Sequence, residues 1–192
     1  MIREEFFPTS IYSKDIQLDN NKLAEDIITW SNKDPGVSKT NFKGWHSTTN
    51  MATKEEYKIL VDEILIASKE VFKEEFLDRE PIMGNMWANI NPTGATNAPH
   101  IHPNSHFSGV YYVNTNPKCG VLKIADPRPG AQSVMPIRKS GEPPKHLWRD
   151  VFINPISGRL VIFPAWLWHS VETNESDKLR ISVSFNIIQQ GF

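Results

Sequence analysis

The stretch Leu179-Arg180-Ile181-Ser182-Val183-Ser184-Phe185-Asn186 alternates without a break, apolar at 179, 181, 183 and 185 and polar at every position between. A period of two is that of an extended strand, whose side chains leave the backbone on opposite faces in turn. The polar face carries an arginine, two hydroxyls and an amide. It is either a solvent-facing surface or the interior of a barrel that holds an anion. In the second case Arg180 forms a two-pronged pair with a carboxylate and Ser182 adds a hydrogen bond.

Working outward, the same texture begins at Pro81, where Gly, Pro and Asn punctuate short β-branched and aromatic runs. Strands are expected over roughly 83–91, 107–114, 120–125, 151–154, 159–163, 166–171 and 179–188. No helical pattern separates them, so a mainly β sandwich or open barrel is expected and a parallel βαβ sheet is disfavoured. Upstream the period is helical. Asp19 is the expected N-cap of a helix over about 20–33 carrying Leu23, Ile27 and Trp30, which Pro35-Gly36 ends. Thr53-Lys54-Glu55-Glu56 has the form of a capping box. After it, Tyr57, Leu60, Val61, Ile64, Leu65, Ser68, Val71 and Phe72 form one stripe of a helix running to about Leu77, which should pack on the sheet.

A chain of 192 residues is expected to make one domain, with 1–80 a helical support region and 81–192 the β core. Lysine and arginine number 21 against 22 acids, a net charge of -1, which gives no electrostatic argument for nucleic acid or an anionic membrane as partner. Cys119 is the single cysteine, so a disulfide framework and a cysteine-built zinc or iron–sulfur site are excluded. The opening residues carry no apolar signal region, and the longest apolar stretch, 160–168, contains a proline and is too short to span a bilayer. The expectation is a cytoplasmic protein. One long connection, 126–150, carries five cations (Arg128, Arg138, Lys139, Lys145, Arg149) to three acids (Asp126, Glu142, Asp150). It is either a substrate lid or a surface excursion.

Of six histidines, three lie within Pro99-His100-Ile101-His102-Pro103-Asn104-Ser105-His106. In an extended segment His100 and His102 project to one face, where two imidazoles can share a metal with a third ligand from another strand. They are equally open to a reading as hydrogen-bonded surface or core histidines. His169, set among Trp166, Leu167 and Trp168, is either a core histidine or a ligand in an apolar cavity. His106 is expected to be a bystander.

Taken in order, His100-x-His102-Pro103, Ser108-Gly109-Val110-Tyr111-Tyr112-Val113, Phe163-Pro164-Ala165-Trp166-Leu167-Trp168-His169-Ser170-Val171 and Arg180-x-Ser182-x-Ser184-Phe185-Asn186 resemble the 2-oxoglutarate/Fe(II)-dependent oxygenases. The likeness is closest to a bacterial and phage branch with H-x-H-P and S-G-V-Y-Y-V strings, and Phe6-Phe7-Pro8-Thr9 is similar to the start of that branch. The resemblance implies a double-stranded β-helix (a jelly-roll, cupin-like) with N-terminal helices packed on the sheet. It implies iron(II) held by His100, His102 and His169, and 2-oxoglutarate gripped by Arg180 with Ser182 and Tyr112. Asn89 is counted with the co-substrate residues; it and Asn91, alternating on one strand, either line the site or are surface amides, and Trp87, Trp166 and Trp168 either dry the cavity or are core.

The wider superfamily has an aspartate or glutamate where this chain has His102. If His102 is instead the first ligand, the second position is Asn104, a poor anionic donor. Asp126 is the remaining carboxylate candidate, with a turn role before Pro127 as the alternative. The activity implied is hydroxylation of a small-molecule or peptide substrate with release of succinate and CO2. The alternatives are a cupin-like zinc or manganese protein acting as an isomerase or hydrolase, and a metal-free binding domain.

Overall fold

The structure, a computed structural model, describes residues 1–133 and 136–191. Two antiparallel sheets face one another. The larger has the order β1 (Tyr12–Asp15), β9 (Arg159–Pro164), β6 (Phe107–Asn114), β11 (Arg180–Gln189), β4 (Pro81–Asn91), β3 (Trp45–His46). The smaller has the order β2 (Asn41–Phe42), β5 (Thr96–His100), β10 (His169–Val171), β7 (Leu122–Ala125), β8 (Asp150–Ile153). From β4 onward the chain crosses back and forth between the sheets, which is the winding of a jelly-roll. The expected mainly β, double-stranded β-helix architecture is the one found.

β11 decides how the layers stack. Its apolar residues Ile181, Val183, Phe185 and Ile187 are fully buried on the outer face of the large sheet, in one cluster with helices α1 (Asn20–Ser31) and α2 (Lys58–Glu74). Leu23 and Ile27 of α1 and Leu60, Ile64, Val71 and Phe72 of α2 close that layer. Each such side chain contributes about 1.5–3 kcal/mol on burial. The helices thus pack on the sheet, as their stripes require. The polar face of β11 points the other way, into the cleft between the sheets. A smaller apolar cluster of Leu122, Ile124, Val161, Phe163 and Leu167 fills the rest of that cleft.

Three expectations are corrected. Residues 1–80 are not purely helical, because β1, β2 and β3 join the two sheets. Asp19 does cap α1, accepting from the Lys22 N–H at 3.0 Å. Thr53 caps nothing: its hydroxyl donates to the Asn50 carbonyl, Lys54 is extended, and α2 starts only at Lys58 after two 3-10 turns. The strand expected over 166–171 begins only at His169, because Leu167 N–H closes a tight turn on Pro164. That turn buries Leu167 and leaves Trp166 and Trp168 more than half exposed, so neither of those tryptophans dries the cleft. No helix among the described residues is long and apolar enough to cross a membrane.

Candidate metal centre and anion slot

His100 ends β5 and His169 begins β10, and the two are register partners on adjacent strands. Their rings therefore lie side by side, with centroids 4.3 Å apart. His102 follows after one residue and is tied to the β9–β10 turn by its N–H on the Ala165 carbonyl, 2.9 Å. The Nε2 atoms of His102 and His169 come within 3.3 Å, and one ring nitrogen from each of the three histidines lies within 4.8 Å of the others.

The backbone sets two of the tautomers. His100 Nδ1 donates to the Ala98 carbonyl at 2.7 Å and His169 Nδ1 to the Leu167 carbonyl at 2.8 Å. Each Nε2 is left with its lone pair, the state a metal needs. Burial disfavours the charged forms: it lowers His100, takes His102 down to about 3 with help from the other two rings, and takes His169 down to about 4 with help from His100. Three neutral imidazoles with converging nitrogens fit a first-row divalent cation. Among the described residues no carboxylate joins this group. Asp126 is occupied by the backbone N–H and guanidinium of Arg128, which hold its carboxyl below the usual range. Asn104 sits exposed in a left-handed turn at φ 62. His106 stands apart, its Nδ1 accepting from the Gln189 N–H.

The three rings open onto a cavity of about 380 Å³ lined on its large-sheet side by Asn89, Tyr112, Arg180, Ser182, Ser184 and Asn186. Ser182 pairs in register with Asn89 on β4 and Tyr112 on β6, so the three cross the sheet as one row. Beside that row Arg180 is 2 % exposed. Both hydrogens of its Nη1 are taken by backbone carbonyls, Cys119 at 2.7 Å and Gly120 at 3.2 Å. Among the described residues it forms no ion pair, and desolvation lowers its pKa. The Nε–Nη2 edge, the prong pair that matches a carboxylate, is thus free. Gly120 makes this cradle possible: at φ +86, a Cβ there would lie 2.1 Å from the Glu172 carbonyl and 2.9 Å from Nη1. Burial also raises Tyr112, so its hydroxyl keeps its proton.

Several residues were placed differently from expectation, or missed. Asn91 is buried outside the cavity lining, donating to Asn97. Trp87 does line it, stacked flat on His46 (5.4 Å, 10°) and touching His102 (5.6 Å). His46 went unread because a two-residue strand carries no periodicity. Asn85 was missed too; its only signal was its place on the inward face of β4, two pairs of residues before Asn89. None of the described residues of the 126–150 connection lines the cavity.

A family profile described as "Putative 2OG-Fe(II) oxygenase" matches residues 85–186. No curated protein matches the sequence. Among solved structures, the chain is similar to a Pseudomonas putida prolyl-4-hydroxylase (14% identity, 95% of this chain and 94% of that one, TM-score 0.67). It is similar to a Trichoplax adhaerens prolyl hydroxylase in complex with a hypoxia inducible factor peptide fragment (12%, 94% and 84%, TM-score 0.65). It is also similar to HygX of Streptomyces hygroscopicus with nickel, 2-oxoglutarate and hygromycin B bound (12%, 96% and 84%, TM-score 0.62). At these identities the structures establish the shared fold, while the profile covers more than half of the chain, including the three histidines and Arg180. The chain belongs to the 2OG-Fe(II) oxygenase family.

Proposed function

We infer that the protein is a 2-oxoglutarate-dependent dioxygenase in which His100, His102 and His169 hold iron(II) and Arg180 holds the co-substrate. The observation that carries this reading is the free Nε–Nη2 edge of a buried arginine, facing the same small cavity as three metal-ready imidazoles. Iron(II) supplies the activation of dioxygen that couples decarboxylation of 2-oxoglutarate to oxidation of a C–H bond.

The chain's own residues do the rest. Arg180 takes the distal carboxylate, and its charge does not titrate in the working range. Ser182 and the protonated Tyr112 hydroxyl lie in the next row inward and donate to the same acid. Asn89 walls that row, with one hydrogen of its amide NH2 given to Ser184 at 3.1 Å. Three neutral imidazoles bring no negative charge, so the dianion of 2-oxoglutarate itself compensates the metal. Trp87 and Phe163 pack on the histidines and keep water from the metal's surroundings.

On this reading the whole chain works as one domain, 1–80 supporting and 81–192 carrying the site. It acts in the cytoplasm on a small-molecule or peptide substrate and has no general attraction for nucleic acid. Purified protein given Fe(II), ascorbate and 2-oxoglutarate is expected to form succinate slowly even without a primary substrate. Folded protein that forms none above a metal-free blank contradicts the reading.

A further inference from the structure

The cavity extends past the histidines to the end of β11 away from Arg180. His102 touches Trp87, the register partner of Ser184, so the three rings sit over the middle of the strand. Arg180 lies four residues to one side of Ser184 and Asn186 two residues to the other. At the Asn186 end a chain of hydrogen bonds crosses three strands. The Ser108 hydroxyl donates to Asn186 Oδ1 at 2.7 Å, and Asn186 Nδ2 donates to Asn85 Oδ1 at 2.8 Å.

The relay runs in one direction: Asn186 presents its oxygen to the serine and its nitrogen to Asn85, and Asn85 presents its oxygen to Asn186. The Asn85 NH2 is left at the cavity with no hydrogen bond to another described residue. One row inward, Ser184 accepts from Asn89 Nδ2 at 3.1 Å, which leaves its own O–H to donate. Asn85 is the register partner of Asn186, so the two donors sit on adjacent strands, offset by two residues, roughly 7 Å along the strand direction. The flat His46–Trp87 stack stands beside them. No carboxylate lines the cavity among the described residues, and its cations are Lys39 and the Arg180 already spoken for.

We propose that Asn85 and Ser184, oriented by Asn186 and Ser108, form the primary-substrate subsite and bind an uncharged ligand through carbonyl oxygens of the amide type. This deepens the oxygenase reading and rests on it for the place of the co-substrate. Uncharged donors satisfy a neutral carbonyl fully. A carboxylate finds better company at Arg180, and an ammonium ion meets only hydrogens at Asn85.

The test uses the full chain loaded with zinc(II), which is diamagnetic and redox-silent, with and without 2-oxoglutarate. Ligand-observed NMR compares N-acetylglycinamide (uncharged), N-acetylglycine (a carboxylate) and glycinamide (an ammonium). With 2-oxoglutarate present, the uncharged amide is expected to bind roughly tenfold more tightly than either charged probe. Asn85→Asp replaces a donor by an acceptor, and Ser184→Ala removes one. Each should weaken the amide by about three- to tenfold, and Asn85→Asp should also improve glycinamide. Arg180→Gln should leave the amide bound. Both Asn85 and Ser184 are half-buried, and a melting curve confirms that each variant folds.

Equal binding of amide and carboxylate, indifference to both subsite variants, or loss of the amide in Arg180→Gln overturns the subsite. If the amide behaves as expected while 2-oxoglutarate does not bind, the oxygenase reading falls and the subsite stands. If 2-oxoglutarate binds at Arg180 and the amide ignores Asn85, the subsite alone falls.

Discussion

Replacing Arg180 by Gln removes the free Nε–Nη2 edge while keeping a polar side chain in the cradle of Cys119 and Gly120. A hydrogen bond to a charged group is worth about 1.5–3 kcal/mol net. Losing the equivalent of one such bond from a carboxylate corresponds to roughly 10- to 150-fold in affinity. The buried setting places the effect toward the upper end, since Arg180 is 2 % exposed and little water can replace it. Arg180→Lys keeps a positive charge but not the two-pronged edge, so it should recover only part of the loss. The assay is the 2-oxoglutarate dependence of succinate formation, with calorimetric binding of 2-oxoglutarate to the zinc-loaded protein alongside it. Metal content should be unchanged, because Arg180 touches none of the three imidazoles. A variant that folds, keeps its metal and binds 2-oxoglutarate within about threefold of the wild type refutes the assignment of the anion slot.

Other outcomes follow from the same geometry. Gly120→Ala puts a Cβ 2.1 Å from the Glu172 carbonyl and 2.9 Å from Arg180 Nη1, so it should both lower the melting temperature and raise the KM for 2-oxoglutarate. His169→Ala should abolish metal binding while His106→Ala retains it, as read by metal analysis of the purified proteins. Ile64→Ala, at a fully buried position of α2, should cost about 2–5 kcal/mol in chemical denaturation. Free imidazoles titrate near 6.5, but all three site histidines are held below that, His102 to about 3 and His169 to about 4. In the unfolded chain they take up protons first as pH falls. Their contribution to the stability of the metal-free protein is therefore full above about 6.5 and declines as pH drops toward the folded values. Melting curves of the metal-free protein should fall between pH 7 and 5, and His102→Asn should flatten that slope; an unchanged slope in His102→Asn would contradict the shift.

Period-two reading found most strands of the two sheets, since β4, β6, β9 and β11 each bury one apolar face against helices or the opposite sheet. It could not say which face of β11 met water. That is decided by α1 and α2 covering the apolar side, a tertiary fact that leaves the arginine pointing inward. β5 was invisible because Thr96–His100 carries a proline and no buried apolar residue. It is held by its neighbours rather than by its own pattern. Thr53 offered a capping box whose form the extended Lys54 breaks. The tryptophans around His169 read as cavity walls, yet the turn at Pro164 swings both outward. The histidines were legible because three elements agreed in order and spacing. The Asn85–Asn186–Ser108 relay was not, because it joins residues that lie far apart in the chain and on three different strands.

The most direct test is a crystal structure of the protein grown anaerobically with Fe(II) and 2-oxoglutarate. The account predicts one metal ion bound by the Nε2 atoms of His100, His102 and His169, with the distal carboxylate of 2-oxoglutarate on Nε and Nη2 of Arg180. A metal bound through Asp126, or 2-oxoglutarate held away from Arg180, would contradict it.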